Sequence, residues 1–467
     1  MELAISIVFI LALGYYLITN LQWYDYKIER VVLKHHKSHW HFIYFIAPFL
    51  LYYVLDSFFI FLLPIYLVLL FLWYKKLDKK LVFTGRVKRF FALLVGFSVV
   101  INFICTLKCD SLSIIIPLFL AYIFSMGIEK YLFELYKKEA KKKLQSMPDL
   151  QIVAITGSYG KTSIKNFVAS ILSQSFSVYA TPRSVNTIGG IIKDINEDLP
   201  SNTQIYVCEA GARESGDIYT ISSFLNPQKV VVGKVGEAHI EYFKSLDNIV
   251  RTKLEIMQSD RLEKAFIHSS VTDEPHPKVE FFGDDIKNIE ASLSGTSFEL
   301  DGVGFETNIL GSFQAMNIAV AIKIAKSFGM SDELIQKGVA RLKPVPHRLE
   351  MIEAGGKIIL DDGYNGNIDG MLEAIRLCSL YNGDKVIVTP GLVESRGELN
   401  LKLIEAINSV FDTVIVTGAL NAKLFDEHLR VDKKIILDDK SMLQNILIEY
   451  TKAGDIILFA NDAPSFI

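Results

Sequence analysis

The run Ile152-Val153-Ala154-Ile155-Thr156-Gly157-Ser158-Tyr159-Gly160-Lys161-Thr162-Ser163 joins an apolar, β-type stretch to a turn punctuated by glycines. Beyond Lys161 the spacing becomes helical, through Ile164, Phe167, Val168 and Ile171. This order of elements suits phosphate binding. Gly157 and Gly160 let backbone N–H groups of the Ser158–Ser163 turn approach an anion, and the helix N-terminus adds the positive end of its dipole. Lys161 would neutralise terminal phosphate oxygens, and Thr162 stands where a hydroxyl would ligate Mg²⁺. Ile155 occupies the first glycine position of the eight-residue phosphate loop, so the shorter Thr-Gly-x-x-Gly-Lys-Thr form remains. A plain helix-capping turn uses the same Gly-Lys-Thr; the buried-strand pattern before it favours the phosphate reading.

Three further residues bear chemistry downstream. Glu209 follows the strand-like Ile205-Tyr206-Val207-Cys208, and His239 follows Val230-Val231-Val232 through Gly233 and Gly236. Lys253 lies on a helical segment, Arg251-Thr252-Lys253-Leu254-Glu255. A carboxylate after a buried strand, beside a Lys-Thr phosphate loop, suits Mg²⁺ held by oxygen ligands. Each also has a plainer reading: Glu209 as a helix cap, His239 as a loop histidine, Lys253 as a solvated helix face. Their order and spacing favour the site.

The elements that must position these groups read as alternating strands and helices from about residue 146 on, an α/β pattern with largely parallel sheets. In such sheets ligands collect at the carboxyl ends of strands. The boundary Pro344-Val345-Pro346-His347-Arg348-Leu349-Glu350 starts a second pattern, with apolar runs at Lys357–Leu360, Lys385–Val388, Thr413–Val416, Lys434–Leu437 and Asp455–Phe459. A small Rossmann-like domain of five or six strands is expected there. The domains are therefore expected at 1–145, 146–345 and 346–467, in line with a chain of 467 residues.

The first part differs in kind. Half of the chain is hydrophobic and 12% aromatic, with a mean hydropathy of +0.30, and the excess is concentrated before residue 129. Apolar runs at about 3–22, 40–55, 57–74, 89–107 and 112–128 predict an α-helical membrane domain of about five spans. The two middle runs are short and separated by Asp56-Ser57, which predicts a tight hairpin with Asp56 in a water-exposed turn. Lys27, Arg30, Lys34 and Lys37 follow the first run, Lys75–Arg89 the third, and Lys130–Lys143 the fifth. That alternation puts the N-terminus outside and the large C-terminal part in the cytoplasm of a cytoplasmic-membrane protein. Glu129–Gln145 reads as a basic amphipathic helix on the membrane surface, and equally as a solvated linker helix leading into the soluble part. A net charge of −3 argues against a nucleic-acid partner, and the four cysteines, at 105, 109, 208 and 378, make no zinc or disulfide framework.

Taken together, Thr156-Gly157-x-x-Gly160-Lys161-Thr162, Glu209-Ala210-Gly211, His239 and Lys253-Leu254-Glu255 resemble the Mur ligases, ATP-dependent amide-forming enzymes of peptidoglycan synthesis. The resemblance runs from about residue 150 to the C-terminus. Asp361-Asp362-Gly363-Tyr364-Asn365-Gly366-Asn367 is similar to the signature of the branch that adds D-alanyl-D-alanine to UDP-N-acetylmuramoyl-tripeptide. The resemblance implies ATP and Mg²⁺ as cofactors and an acyl-phosphate intermediate. Lys161 would hold the β- and γ-phosphates, Thr162 and Glu209 one Mg²⁺, and His239 and a carbamylated Lys253 a second. Asn186, Thr187, Tyr364, Asn365 and Asn367 would meet substrate, Asn317 the adenine, Arg348 the ATP phosphates, and Asp361 or Asp362 the ribose. It also implies other peptidoglycan-synthesis proteins as partners at the bilayer.

There are departures. The family usually reads Gly-x-His-Asn-x-x-Asn where this chain has Gly311-Ser312-Phe313-Gln314-Ala315-Met316-Asn317, and apolar runs stand where the family has a soluble uridine-gripping domain. The loops Thr389–Leu392 and Ala460–Pro464 also differ in wording. Rival readings are another membrane-associated ligase of the same fold, acting on poly-γ-glutamate or a lipid-linked muropeptide, a transporter energised by a phosphate loop, and an inactive scaffold. Against the transporter, no network of intramembrane charges is evident.

Overall fold

The computed structural model describes residues 2–33, 35, 37–77, 79–108, 114–236, 243–364, 366–393, 397–437 and 439–461. The chain forms two compact units, Met1–Lys138 and Glu139–Ile467.

The first unit is helical. Its main helices are α1 (Glu2–Trp23), α2 (Ala47–Leu55), α3 (Phe59–Lys75), α4 (Gly85–Lys108) and α5 (Ile115–Gln145). Among the described residues, three stretches are long and apolar enough to cross a membrane: Leu3–Trp23, Gly85–Ile104 and Ile115–Gln145. The two middle ones, His39–Leu55 and Phe59–Lys75, are shorter. They fold back on each other as a hairpin about Asp56 (φ +44°), with the Tyr66 hydroxyl donating to the Tyr44 carbonyl at 3.0 Å. α1 meets α4 so closely that a β-carbon on Gly14 would lie 2.2 Å from Leu94 Cδ2, which only a small residue allows. Val54, Phe61, Phe103 and Phe119 point outward and are exposed, an apolar exterior of the kind lipid covers. Glu129–Gln145 is helical as expected and forms the second half of α5, which continues unbroken from the apolar half. Nothing between Ser125 and Lys130 breaks a helix, since Gly127 alone costs only about 1 kcal/mol.

The second unit is built on two six-stranded sheets. The first has the order β2-β3-β1-β4-β5-β6: β1 (Gln151–Thr156), β2 (Val178–Ala180), β3 (Ile205–Glu209), β4 (Lys229–Val232), β5 (Lys264–His268) and β6 (Val279–Phe282). All its pairings are parallel. Its β-branched and aromatic runs are buried because helices cover it: Val153, Ile155, Val207, Val231 and Phe266 pack with Ile164, Phe167, Val168 and Ile171 of α6 (Lys161–Leu172). Beside them lies α7 (Ser312–Ser327), buried along most of its length. The second sheet, of β10 (Glu350–Ala354), β11 (Lys357–Asp362), β12 (Lys385–Thr389), β13 (Thr413–Thr417), β14 (Lys433–Leu437) and β15 (Ile456–Ala460), has the order β10-β11-β15-β12-β13-β14, and only β10 pairs antiparallel.

A third, antiparallel sheet of β7 (Ile286–Ser292), β8 (Gly295–Leu300) and β9 (Val303–Thr307) lies outside the expected pattern. It departs from the β/α alternation because Asp301 (φ +52°) and Gly302 (φ +78°) make a left-handed two-residue turn. Such turns match the twist of paired strands and close hairpins.

Candidate active site

Register explains how Glu209 reaches the phosphate loop. β1 pairs with β3 so that Ile155 lies opposite Glu209, and Thr156 ends β1 one residue later. The loop then bends back over β4. Gly157 (φ +149°) touches Gly233, where a β-carbon would sit 3.2 Å from its backbone. The N–H groups of Ser158 and Tyr159 donate to the Lys234 carbonyl at 3.0 and 3.3 Å. Those two donors are therefore engaged within the loop. The donors left for an anion are in the first turn of α6, from Lys161 to Ser163, where helix geometry leaves N–H groups without an internal partner.

Lys161 is folded over this turn, its ammonium donating to the carbonyls of Gly157 at 2.9 Å and Ser158 at 3.1 Å. Burial pulls its pKa down, opposed by the charge of Glu209 and reinforced by Arg348. Glu209 is buried, and each carboxylate oxygen accepts one hydrogen bond: Oε2 from the Thr162 hydroxyl at 2.9 Å, Oε1 from the Asn186 amide at 3.0 Å. A hydroxyl and a carboxylate this close form a hard-oxygen pair, the kind of partial set that Mg²⁺ takes alongside phosphates and water. The donor set therefore fits a first Mg²⁺. Among the described residues there is no group of three or more His, Cys, Asp or Glu that could hold a metal by itself.

Lys253 lies on α8 (Leu246–Leu254) and is buried. Burial first, then the charge of Lys161, lowers its pKa to about 7. A large share of its amine is thus neutral and nucleophilic near pH 7, which a carbamate requires. His239, expected beside it, lies outside the described residues, as does Asn365.

A cavity of about 550 Å³ opens over the loop. Of the expected residues, Ser158, Tyr159, Gly160, Lys161, Thr162, Ser163, Asn186, Glu209, Asn317, Arg348, Asp362, Tyr364 and Asn367 line it; Gly157, Thr187, Lys253 and Asp361 do not. Thr187 instead accepts from the Gly190 N–H at 3.3 Å and caps the next helix. Asp361 is held by His347 Nδ1 at 2.6 Å and by the Gly363 N–H at 3.0 Å. Asp362 is the acid of the pair that faces the cavity. Arg348 donates to the Tyr364 carbonyl, and Asn367 caps α9 (Ile368–Ser379) by accepting from the Gly370 N–H at 2.8 Å. Asn317 sits directly behind the loop: a β-carbon on Gly160 (φ +76°) would lie 2.6 Å from its Oδ1.

Sequence reasoning missed Lys234, His268, Phe282, Phe313 and Asp369, all of which line the cavity. Lys234 bridges to Asp369 across it at 2.8 Å. The strand-end rule applied to β1 and β3 reaches Lys234, His268 and Phe282 when applied to β4, β5 and β6.

The Mur ligase middle domain matches residues 155–325. The UDP-N-acetylmuramoyl-tripeptide–D-alanyl-D-alanine ligase of Bacillus subtilis is 28% identical over 345 residues, 68% of this chain and 74% of that protein. The Escherichia coli ligase of the same name is 29% identical over 268 residues, 53% of this chain and 59% of its own length. The crystal structure of the MurF ligase from Thermotoga maritima with ADP superposes with a TM-score of 0.62 at 26% identity, over 71% of this chain and 80% of that one. A pseudomurein peptide ligase from Methanothermus fervidus, at 18% identity and a TM-score of 0.52, shares the fold.

Proposed function

We propose, for a chain whose residues 155–325 are a Mur ligase middle domain, that it is an ATP-dependent amide ligase of peptidoglycan precursor synthesis. It adds D-alanyl-D-alanine to UDP-N-acetylmuramoyl-tripeptide. The observation that carries the reading is the Glu209 carboxylate fixed between Thr162 and Asn186 at the mouth of the Lys161 loop. A nucleotide-phosphate end and the segment expected to meet the muropeptide converge there.

Joining a carboxylate to an amine in water is uphill, so the carboxylate must first take the γ-phosphoryl group, as an acyl phosphate that the dipeptide amine then attacks. This chain needs no nucleophile of its own for that; positioning and charge neutralisation suffice. Lys161 exchanges the carbonyls of Gly157 and Ser158 for phosphoryl oxygens, and the first turn of α6 supplies N–H donors. Arg348, whose charge is felt by Lys161 and by Glu209, brings a second cation from the C-terminal sheet. Asp362 suits the ribose hydroxyls. Thr162 and Glu209 would hold one Mg²⁺, and Lys253 as a carbamate, with His239, a second. Mg²⁺ when bound screens the charge of the transferring phosphoryl group.

The apolar helices of the first unit anchor the ligase in the cytoplasmic membrane, with Glu139–Ile467 on the cytoplasmic side where ATP is found. Their outward apolar side chains and the Lys/Arg alternation support this reading. The experiment is phosphate release by the full chain in detergent. UDP-N-acetylmuramoyl-tripeptide and D-alanyl-D-alanine together should release phosphate and form the pentapeptide. Release that needs neither substrate, or glutamate serving better than the dipeptide, would overturn the assignment.

A further inference from the structure

Lys161 and Lys165 stand one helical turn apart on α6, but only Lys161 lines the cavity. Lys165 is 1% exposed, on the inward side of the helix with Ile164, Phe167 and Val168. An ammonium out of water is costly unless its hydrogens find acceptors. Here they find two carbonyls, Thr181 at 2.6 Å and Arg183. Among the described residues no acid pairs with it. Burial lowers its pKa, and the charge of Glu209 opposes that.

Both carbonyls belong to the segment that leads from β2 to Asn186 and Thr187. Arg183 has φ +48°, a left-handed conformation that a residue with a side chain keeps only where its surroundings fix it. The Val185 N–H donates to the Pro182 carbonyl at 3.1 Å and closes a turn around Arg183 and Ser184. Past the turn the segment is fastened again, at the end of β3. The Gly211 N–H donates to the Asn186 carbonyl at 2.8 Å, and a β-carbon on Gly211 would lie 2.8 Å from Asn186 Cγ. The Thr181 hydroxyl accepts from the Glu209 N–H at 3.2 Å. The Asn186 amide reaches Glu209 because the segment is held at both points, by Lys165 from α6 and by Gly211 from β3.

We infer that Lys165 is a positioning residue: by holding the Thr181 and Arg183 carbonyls, its buried ammonium fixes the turn that presents Ser184 and Asn186 to the cavity, and so shapes the muropeptide site. The inference rests on the ligase reading above and names what ties that reading's substrate segment to the phosphate-loop helix. α6 thus carries one lysine for the nucleotide and, a turn later, one for the placement of the other substrate. Methionine at 165 would fill the same space but leave two buried carbonyls without a donor, which frees the turn at Arg183 to shift.

The test measures steady-state turnover of the full chain in detergent with Mg²⁺, varying UDP-N-acetylmuramoyl-tripeptide and ATP in turn. Lys165→Met should raise the muropeptide KM at least tenfold, while the ATP KM changes less than threefold and kcat falls less than fivefold. Lys165→Gln keeps N–H donors on a shorter, neutral arm, and its muropeptide KM should fall between those of Lys165→Met and the parent. Gly211→Ala presses on Asn186 without removing a buried charge, and should raise the same KM at least fivefold. Because Lys165 acts through the segment that carries Asn186, Lys165→Met combined with Asn186→Ala should raise that KM less than threefold beyond the larger single effect. An unchanged muropeptide KM in Lys165→Met overturns the inference. So does an equal rise in the ATP KM, or single effects that multiply in the double variant, the marks of a general structural role. Absence of muropeptide-dependent turnover in the parent protein would instead sink the ligase reading.

Discussion

The two ends of the cavity are made differently. At the phosphate end nearly every polar group is already engaged: Lys161 with two carbonyls, Thr162 and Asn186 with Glu209, Ser158 and Tyr159 with Lys234. At the β5–β6 end the walls are aromatic, and the buried Nε2 of His268 has no partner. A charged ligand must displace existing bonds at the first end, so its binding is an exchange that favours highly charged groups. At the second end the aromatic walls offer a ligand shape rather than charge.

The largest expected effect lies at the phosphate end. Lys161→Ala should lower kcat at least a hundredfold, about 2.7 kcal/mol, with little change in thermal unfolding, since the ammonium anchors the loop and no core. Turnover within tenfold of the parent would break the division of labour. Glu209→Gln should come next. The amide can still meet Thr162 and Asn186, but the charge that would hold Mg²⁺ is gone, so the Mg²⁺ concentration for half-maximal activity should rise at least tenfold. An unchanged Mg²⁺ titration would remove Glu209 from the metal site.

Lys253 sharpens the comparison through pH. Its pKa of about 7, against an ordinary 10.5, has two consequences. The neutral amine gains population as pH rises through 7, so carbamylation and activity should rise with it, fall when dissolved CO₂ is stripped, and recover with bicarbonate. For stability, the unfolded chain binds more protons than the folded one between about 7 and 10.5, so this lysine's contribution grows with pH across that window. Lys253→Met should flatten that part of the stability profile. Full activity of Lys253→Arg without CO₂ would contradict the carbamate. The smallest effect is expected at Lys234–Asp369, whose side chains are 45% and 64% exposed. Asp369→Asn should change KM for ATP less than fivefold, because solvent-screened ion pairs contribute only about 0–1 kcal/mol.

Legibility in the sequence divides along the same line. The phosphate end is local in the chain: Gly157 to Ser163 are contiguous, and Glu209 is found by asking which residue closes the next long buried strand. The β5–β6 end gathers His268, Phe282 and Phe313 from separate elements, and each looks like an ordinary core or strand-end residue by itself. The antiparallel β7–β9 sheet was legible in principle from Asp301-Gly302 and from the alternate burial along β8, but the prevailing β/α rhythm obscured it. In the first unit the apolar runs were plain, whereas the continuity of α5 depended on the absence of a helix breaker, a weaker signal than a motif. Asp361 and Asp362 could not be told apart in sequence; the pairing of Asp361 with His347 is a tertiary contact.

The most direct test of the ligase assignment is coupled turnover by the full chain in detergent with Mg²⁺-ATP, measuring phosphate and pentapeptide together. One phosphate should appear per amide bond, only when both UDP-N-acetylmuramoyl-tripeptide and D-alanyl-D-alanine are present, and Lys161→Ala should abolish both signals in parallel. Phosphate release without amide formation, or amide formation that survives Lys161→Ala, would contradict it.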